Sequence, residues 1–525
     1  MKNIINIALV LVLFAGNACT DLDLTPPDQA TPDIFFQDET AYEAFIARVY
    51  SGLAVTGQNG PAGSADLSSL DEGFSNYLRQ YWQLQELTTD EAVIGWGDEG
   101  LPELHGHAWT SANQFIRAMY YRIFFQVSMA NEFLRESTQD KLDSRGVSAA
   151  IQSDVKAYRA EARFLRALSY WHGIDLFGAI PFYTEESSIG SEAPSQASRV
   201  EVFNFIESEL KAIENDMIAP HANQYGRVDR AGLWMLQAKL YLNAAVYTGT
   251  ERNSDCVVAC KKVIDAGYSL QETYQHLFMT DNNNSNEIIF AIPFDGKNTQ
   301  TWGGMTYLVH APIGGNMNDN PEVYGVNGGW AGLRTTSAHV NRFPDETGDI
   351  DERAIFYTNG QNIEINTISN FNDGYAVPKY VNVSSEGVPG SDLDHIDTDY
   401  PMFRLADAYL MYAEAVLRGG AGGDVATAVG YVNQLRERAY NGTLGNITAD
   451  DMTLDFILDE RGRELYWEAY RRQDLIRYNQ YTENGIWPWK GGVKEGKTTM
   501  PYLKLFPIPI AEILANPKLS QNTGY

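Results

Sequence analysis

Two tryptophans of this chain stand where an aromatic ring can bind a flat ligand. Trp96 lies between two glycines, and Trp330 follows a pair of glycines. A large ring flanked by glycines is typical of an exposed loop rather than of a packed core. Rings on loops can act as stacking platforms, which contribute about 1–3 kcal/mol per base in complexes with nucleic acid. A sugar should gain less from each ring, so we expect several rings to act together, with Trp302 and Tyr324 as weaker candidates.

Hydrolysis of glycosidic bonds is the catalytic alternative to binding. A glycosidase needs only two carboxylates at a set separation. The chain has 68 acidic residues, so pairs of carboxylates are easily found and identify nothing. No nucleophile elbow, phosphate-binding loop or HExxH motif appears in the sequence. The sequence therefore predicts a non-catalytic protein without catalytic residues, and a glycoside hydrolase stays open as the alternative.

Two short segments offer metal ligands. His105 and His107 supply half of a metal site, but no third ligand is indicated. Asp281, Asn283 and Ser285 place oxygen ligands at alternate positions, as calcium prefers. An EF-hand is excluded, because the sixth and twelfth positions of this segment lack the required Gly and Glu. A solvated turn is the simpler interpretation, so the sequence predicts no cofactor beyond a possible structural calcium.

The N-terminus has the pattern of a lipoprotein signal. A charged start and a mostly apolar run end in small residues directly before Cys19. The apolar run is shorter than the roughly 20 residues that a membrane-spanning helix needs. We therefore predict a signal peptide at 1–18, acylation of Cys19, an acidic tether at 19–32 and a location outside the cytoplasm. The plainer alternative is an incidental cysteine near an ordinary signal-cleavage site.

Composition restricts the partners. A net charge of −29 and a pI near 4.6 argue against nucleic acid and strongly anionic polymers, because long-range repulsion opposes the encounter. Uncharged ligands remain open. Aromatic residues make up 12% of the chain, which suits neutral sugars, whose flat C–H faces can lie on rings. On composition alone, an aromatic-rich core explains this content equally well.

Apolar side chains recur at helical spacing along much of the chain. A first helix is expected near Thr40, where Thr40 and Glu43 match a capping box. Alanines recur on the apolar stripes, which favours closely packed helix pairs like degenerate tetratricopeptide repeats. Four further helices are predicted at 160–177, 230–247, 403–417 and 454–478.

The stretch 282–398 differs from the helical segments. It is rich in Gly, Asn and aromatic residues, and its one clear strand candidate runs from Glu287 to Ile292. A long irregular segment on a regular scaffold is where binding residues tend to lie. The predicted fold is mainly α: a tetratricopeptide-like helical scaffold with an inserted loop-rich region that carries short strands. We expect residues 33–525 to form a single domain.

With these segments placed, the chain resembles the SusD/RagB family of outer-membrane glycan-binding lipoproteins. The resemblance implies a non-catalytic role in which neutral oligosaccharides are captured and delivered to a SusC-like TonB-dependent transporter in the outer membrane. It also implies that Arg163, Glu460 and Asp474 form structural ion pairs rather than contact ligand. The resemblance rests on the N-terminal signal and on four passages, 160–178, 403–415, 460–477 and 506–525.

Within the family, several strings are most similar to those of the starch-binding member. The resemblance implies an arc of aromatic rings around a curved α-glucan, supported by an arginine and an asparagine. Ile94 replaces a further tryptophan of that arc, and the asparagine position falls near Asp98 or Glu99. A β-glucan such as laminarin, or a peptide, is therefore an open alternative ligand. The residues implied to bind glycan are Arg79, Trp96, Tyr307, Trp330, Asp98 and Glu99.

Overall fold

The computed structural model describes residues 32–525 apart from 62, 64, 69, 189 and 191. The predicted signal peptide, the lipidated Cys19 and the tether up to residue 31 lie outside the described residues. Among the described residues, no helix is both long and apolar enough to cross a bilayer. Pro32 already belongs to the first described helix.

The protein is mainly helical, as the sequence predicts. Its α-helices, numbered in chain order, are α1 Pro32–Phe35, α2 Ala41–Ala54, α3 Tyr77–Glu86, α4 Pro102–Gly106, α5 Gln114–Glu136, α6 Gln139–Ser144, α7 Ala149–Phe177, α8 Arg199–Ile213, α9 Arg230–Leu242, α10 Ala244–Thr248, α11 Asn253–Ile264, α12 Gly304–His310, α13 Ser337–Val340, α14 Leu405–Leu417, α15 Val425–Ala439, α16 Leu454–Glu464, α17 Arg471–Arg477 and α18 Ile510–Ala515. Short 3-10 helices span Gly73–Ser75, Tyr274–Phe278, Asn282–Asn284, Gly315–Asp319, Pro321–Tyr324, Thr443–Gly445, Lys490–Gly492 and Pro501–Lys504.

Successive long helices pack against one another in pairs. Helix α5 packs on α7, α7 on α8, α9 on α11, α11 on α14, and α14 on α15. Alanines on the facing stripes, such as Ala167 and Ala413, are fully buried and let the helices approach closely. The tetratricopeptide-like scaffold is therefore confirmed, and its buried apolar side chains form one contiguous core.

The described residues contain three two-stranded antiparallel sheets, two of which join distant parts of the chain. The strand predicted from Glu287 to Ile292 is confirmed, and it pairs with a strand directly before α14. The prediction of a helix from residue 403 therefore began two residues early, inside that strand. The strands are β1 Val93–Ile94, β2 Ile180–Pro181, β3 Gln196–Ala197, β4 Ile288–Ile292, β5 Leu333–Arg334 and β6 Tyr400–Arg404, paired as β1 with β5, β2 with β3 and β4 with β6.

Two helix predictions need correction. The capping box at Thr40 is wrong, because the Thr40 hydroxyl donates to the carboxylate of Asp38 and makes no cap hydrogen bond. The continuous helix at 454–478 is interrupted between α16 and α17, where Trp467 and Ala469 adopt positive φ angles of 60° and 64°. Tertiary contacts support the break: Trp82 donates through Nε1 to the Trp467 carbonyl at 2.8 Å, and their rings lie 5.3 Å apart.

Charged side chains inside the scaffold are paired with one another. The expected structural ion pairs are confirmed: Arg163 with Glu209, Glu460 with Arg353, and Asp474 with Arg461. We call the largest connected group the buried ion network; Arg404 in its centre contacts three carboxylates at 2.6–2.8 Å. Its members are Asp351, Arg353, Lys379, Arg404, Arg436, Arg438, Arg463, Glu287, Glu460, Glu464 and Glu468.

Candidate functional site

The pairing of β1 with β5 joins the two loops that carry the predicted tryptophans. Val93 lies opposite Arg334 in the register, and beyond the strand the Gly95 N–H donates to the Gly332 carbonyl at 2.9 Å. Trp96 follows β1 directly, and Trp330 precedes β5. Two residues separated by more than 230 positions in the sequence therefore become neighbours through a short backbone ladder.

The rings of Trp96 and Trp330 lie side by side. Their centroids are 6.2 Å apart at an interplanar angle of 44°, and both side chains are half-buried. The Trp96 indole Nε1 donates to the Trp330 backbone carbonyl at 3.1 Å, which fixes the orientation of the ring. A Cβ at Gly332 would lie only 2.4 Å from the Trp96 ring, so this glycine is required for the close approach. Gly332 thus serves packing between the two loops.

The segment around α12 positions Trp330. The Trp330 N–H donates to the His310 carbonyl at 2.9 Å, and the His310 ring stacks on the indole at 4.8 Å and 16°. The two ring nitrogens of His310 face the carbonyl oxygens of Gly328 and Asp394 at 2.8 and 3.2 Å. Burial lowers the pKa of His310, while its hydrogen bonds to the two backbone carbonyls act in the opposite direction.

Trp302 extends the pair into a row. Its ring lies 6.3 Å from Trp330 and 4.7 Å from His395, and its side chain is 40% exposed. The Trp302 backbone N–H donates to the Glu72 carboxylate at 2.9 Å, which fixes the loop of Trp302 to the segment before α3. We call Trp96, Trp330 and Trp302 the tryptophan row. Tyr324, the other weaker candidate, makes no ring contact with these tryptophans among the described residues.

Tyr307 lies beneath the tryptophan row rather than in it. Its side chain is 0% exposed, and its ring meets Trp96 edge-on at 6.0 Å. The Tyr307 hydroxyl accepts a hydrogen bond from Gln83 at 3.2 Å, and burial raises its pKa to about 12. The expectation that Tyr307 offers a ring face to glycan is therefore not met in this conformation. Tyr307 instead supports Trp96 from below.

Arg79 is a buried cation without a carboxylate partner. It lies in the first turn of α3, where its backbone N–H donates to the Asn76 side chain at 3.0 Å. Its guanidinium lies between the rings of Phe74 and Tyr307, at 4.7 and 4.3 Å. In the described part of the chain, its Nε and Nη2 have no hydrogen-bond partner, and burial lowers its pKa. Such orphaned donors are costly unless a ligand or water satisfies them.

Asp98 and Glu99 border the same loop. Asp98 is half-buried and Glu99 is exposed. The Asp98 charge acts on Arg79 but is not a salt-bridge partner of it in the described structure. The Glu99 carbonyl accepts from the Gln114 side chain at 2.7 Å, which leaves the Glu99 carboxylate free to face solvent. Their direct contact with ligand stays a prediction.

Two of the metal-ligand candidates, Asp281 and His107, are engaged in other contacts. The Asp281 carboxylate accepts from the backbone N–H and the hydroxyl of Ser385 at 2.9 and 2.5 Å. His107 bonds through its ring to Thr88 and Thr499, and burial lowers its pKa to about 3. No group of three or more His, Cys, Asp or Glu side chains among the described residues is arranged to hold a metal ion. Calcium at Asp281, Asn283 and Ser285 stays a prediction.

The structure adds site residues that the sequence did not reveal. His310 and His395 contact the tryptophan row, and Phe74 covers Arg79. The sequence carries a signal for His310 alone, because it ends the short segment that also holds Tyr307. The site therefore combines three partly exposed indoles, two imidazoles and one orphaned guanidinium. These groups are suited to ring stacking and hydrogen bonding.

Comparison with known proteins identifies the family. Residues 347–525 match the model of the SusD family. The starch-binding protein SusD of Bacteroides thetaiotaomicron is 34% identical, over 100% of this chain and 99% of that protein. A SusD-like protein of Bacteroides ovatus is 25% identical, over 90% of this chain and 82% of its own length.

Solved structures agree on the fold. Surface glycan-binding protein A from Bacteroides fluxus superposes with a TM-score of 0.70 at 22% identity, covering 93% of this chain and 100% of that one. The protein of the same name from Bacteroides thetaiotaomicron, solved with laminarihexaose, gives a TM-score of 0.68 at 18% identity, covering 92% and 98%. At this level of identity the superposition establishes the fold alone. Together with the full-length relative, these findings show that the chain belongs to the SusD family.

Proposed function

We propose that this chain is a glycan-binding lipoprotein that captures neutral oligosaccharides on the tryptophan row. The observation that carries the proposal is the placement of three partly exposed indoles side by side, with Arg79 behind them against Tyr307, the ring beneath Trp96. Indole faces suit the C–H faces of sugar rings, and a guanidinium suits sugar hydroxyls. A surface of this kind binds through stacking and a few directed hydrogen bonds.

The charge of the chain favours a neutral ligand. The net charge is −29, and Asp98 and Glu99 border the site, so an anionic glycan would be repelled. Among neutral glycans we propose an α-glucan such as starch or malto-oligosaccharide. This choice is supported by the relative at 34% identity, which is named as starch-binding. A β-glucan is the alternative, since a more distant structural neighbour was solved with laminarihexaose.

The role is binding rather than hydrolysis. The relatives are named for binding, and the partly exposed groups of the aromatic site are mainly ring faces, which supports stacking of sugars rather than hydrolysis. We propose that acylation of Cys19 holds the chain at the outer membrane facing the exterior, and that a SusC-like TonB-dependent transporter takes up the captured glycan. Replacing Cys19 should then abolish uptake by cells and leave glycan binding intact.

Affinity electrophoresis tests the proposed function. The full chain, made as Cys19→Ala so that no lipid is attached, is run in gels that contain amylopectin, laminarin or dextran. We expect retardation in amylopectin. Retardation only in laminarin would replace the α-glucan with a β-glucan. Unretarded migration in all three gels would refute glucan binding, and reducing sugar released by the purified protein would overturn the non-catalytic role.

A further inference from the structure

A second concave surface lies on the outer face of α5, remote from the tryptophan row. Two cavities of about 490 and 650 Å³ adjoin there and share Ser128, Tyr183 and Pro194 in their walls. None of the residues that line them belongs to the site described above. We call this surface the tyrosine groove; its central residues are Tyr120, Tyr121, Phe124, Phe125, Ser128 and Tyr183.

Helix α5 begins beside the site that holds the tryptophan row and carries the tyrosine groove further along its length. Near the start of α5, Phe115 contacts Phe74, the ring that covers Arg79, at 5.1 Å. The tyrosine groove extends along the same helix from Tyr120, five residues after Phe115, to Ser128, thirteen residues after it. At 1.5 Å per residue these positions lie about 8 and 20 Å from Phe115 along the helix axis. Because the groove and the tryptophan row share no lining residue, the groove is a separate surface.

Aromatic rings occupy the part of α5 that faces outward. Tyr121, Phe124 and Phe125 are half-buried, and Ser128, one helical turn further, is exposed. Their spacing of three and four residues places Tyr121, Phe124 and Ser128 on one face. Across the groove, the Tyr183 ring lies nearly parallel to Phe124 at 6.4 Å. Partly exposed rings clustered on a face that is normally polar are typical of a binding surface.

Polar groups between these rings are available to a ligand. Tyr120 is only 1% exposed, lines the groove, and has a hydroxyl without any hydrogen-bond partner in the described structure. The Glu512 carboxylate, from α18, also lines the groove and helps to raise the pKa of Tyr121, after the larger effect of burial. The Ser128 hydroxyl bonds to Tyr183 at 3.0 Å on the exposed side. A buried hydroxyl without a partner lowers stability unless a bound molecule satisfies it.

The combination of flat rings, a buried hydroxyl and carboxylates selects the chemistry of the ligand. An anionic ligand would meet the Glu512 carboxylate, whereas Glu132 is paired with Arg135 in the same wall. A purely apolar ligand would leave the Tyr120 hydroxyl unsatisfied. A sugar ring offers a C–H face to the aromatic rings and hydroxyls to Tyr120 and Glu512. We propose that the tyrosine groove is a second site for a neutral oligosaccharide, an inference that rests on the proposed function.

Calorimetric titration of the full Cys19→Ala chain with maltoheptaose, and separately with laminarihexaose, counts the sites. We expect two sites per chain with the ligand that binds. Adding Trp330→Ala should remove one site and leave the other. Adding Tyr121→Ala and Phe124→Ala should weaken the remaining site at least tenfold and leave the tryptophan row unaffected. Thermal melting checks that each variant is folded.

Tyr120→Phe provides a milder variant that removes only the orphaned hydroxyl. We expect it to weaken the second site about threefold to tenfold, whereas a merely structural Tyr120 would leave affinity unchanged. Tyr431→Phe, at a half-buried tyrosine of α15 that lines neither surface, is the matched control. A single site that Trp330→Ala abolishes would overturn the second site and leave the proposed function standing. No binding of either glucan by the unsubstituted chain would instead refute both.

Discussion

Arginine side chains are buried both in the ion network and beside the tryptophan row, but the groups that contact their guanidinium charges differ. In the network, Arg404 is fully buried and contacts three carboxylates at 2.6–2.8 Å. Beside the tryptophan row, Arg79 is 3% exposed and lies between two aromatic rings with two of its nitrogen atoms unpartnered. The network pairs its guanidinium groups with carboxylates, even where a nitrogen such as Arg438 Nε has no hydrogen-bond partner, whereas Arg79 has no salt bridge among the described residues. We therefore assign stability to the buried ion network and recognition to the tryptophan row.

The largest expected effect is on stability, within the network. Glu464 contacts Arg353, Arg404 and Arg438, so Glu464→Gln leaves buried guanidinium charge uncompensated. Removing one partner of a buried pair costs about 3–5 kcal/mol. We expect unfolding in guanidinium chloride at clearly lower concentration, while the folded variant keeps its glycan affinity. Glu386→Gln, at an exposed carboxylate, is the control and should change stability by less than about 0.5 kcal/mol.

Acid should weaken the same region. Against the opposing effect of burial, nearby arginine charges hold the pKa of two network carboxyls, Glu464 and Glu460, well below the usual range, that of Glu464 at about 2. Because these pKa values are lower in the folded than in the unfolded chain, their contribution is complete above about pH 4.5. It is lost progressively as the pH falls towards 2. We expect the melting temperature to drop steeply over that window; an unchanged melting temperature down to pH 3 would contradict the role of the network.

The next effect concerns recognition, in the tryptophan row. Trp330→Ala removes the central ring but keeps the backbone carbonyl that orients Trp96. We expect glucan affinity to fall at least tenfold with only a small change in melting temperature. Trp234→Ala, at a half-buried tryptophan of α9 outside the site, is the matched control. Equal losses of affinity in Trp330→Ala and Trp234→Ala would contradict a specific role of the tryptophan row in recognition.

Arg79→Met is expected to give the smallest stability change. It tests most sharply whether Arg79 differs from the arginines of the buried ion network. Methionine removes a buried charge that has no salt-bridge partner among the described residues, at the cost of two cation–π contacts. We expect the free energy of unfolding to change by no more than about 1 kcal/mol, measured in guanidinium chloride. Glucan affinity should nevertheless fall severalfold. A loss of stability as large as that of Glu464→Gln would place Arg79 with the scaffold.

Sequence patterns predicted the regular parts of the scaffold well. The apolar stripe of α7 and its stop at Gly178 are local features, and the glycines beside Trp96 and Trp330 correctly indicated loops, although both rings are half-buried. The break between α16 and α17 was not predictable, because the left-handed backbone at Trp467 is supported by a distant Trp82. These outcomes show that local periodicity determines helices, whereas long-range contacts determine interruptions.

The sequence predicted most residues of the candidate site but not how deeply each of them is buried. Tyr307 was expected at the surface with the tryptophans, and it lies fully buried below Trp96. Helix α12 has only seven residues, all of them buried, so no amphipathic pattern marks which side faces the ligand. Trp302 was a weaker candidate, and the structure places it next to Trp330.

Fluorine NMR of the full Cys19→Ala chain, labelled with 5-fluorotryptophan, tests the central claim most directly. The chain has 10 tryptophans, each assigned by a single Trp→Phe variant, and Trp82, Trp171 and Trp467 are fully buried in the scaffold. On titration with maltoheptaose we predict that the resonances of the tryptophan row shift, while those of the three buried tryptophans stay unchanged. Shifts confined to tryptophans outside the row, or none at all with any glucan, would contradict the account.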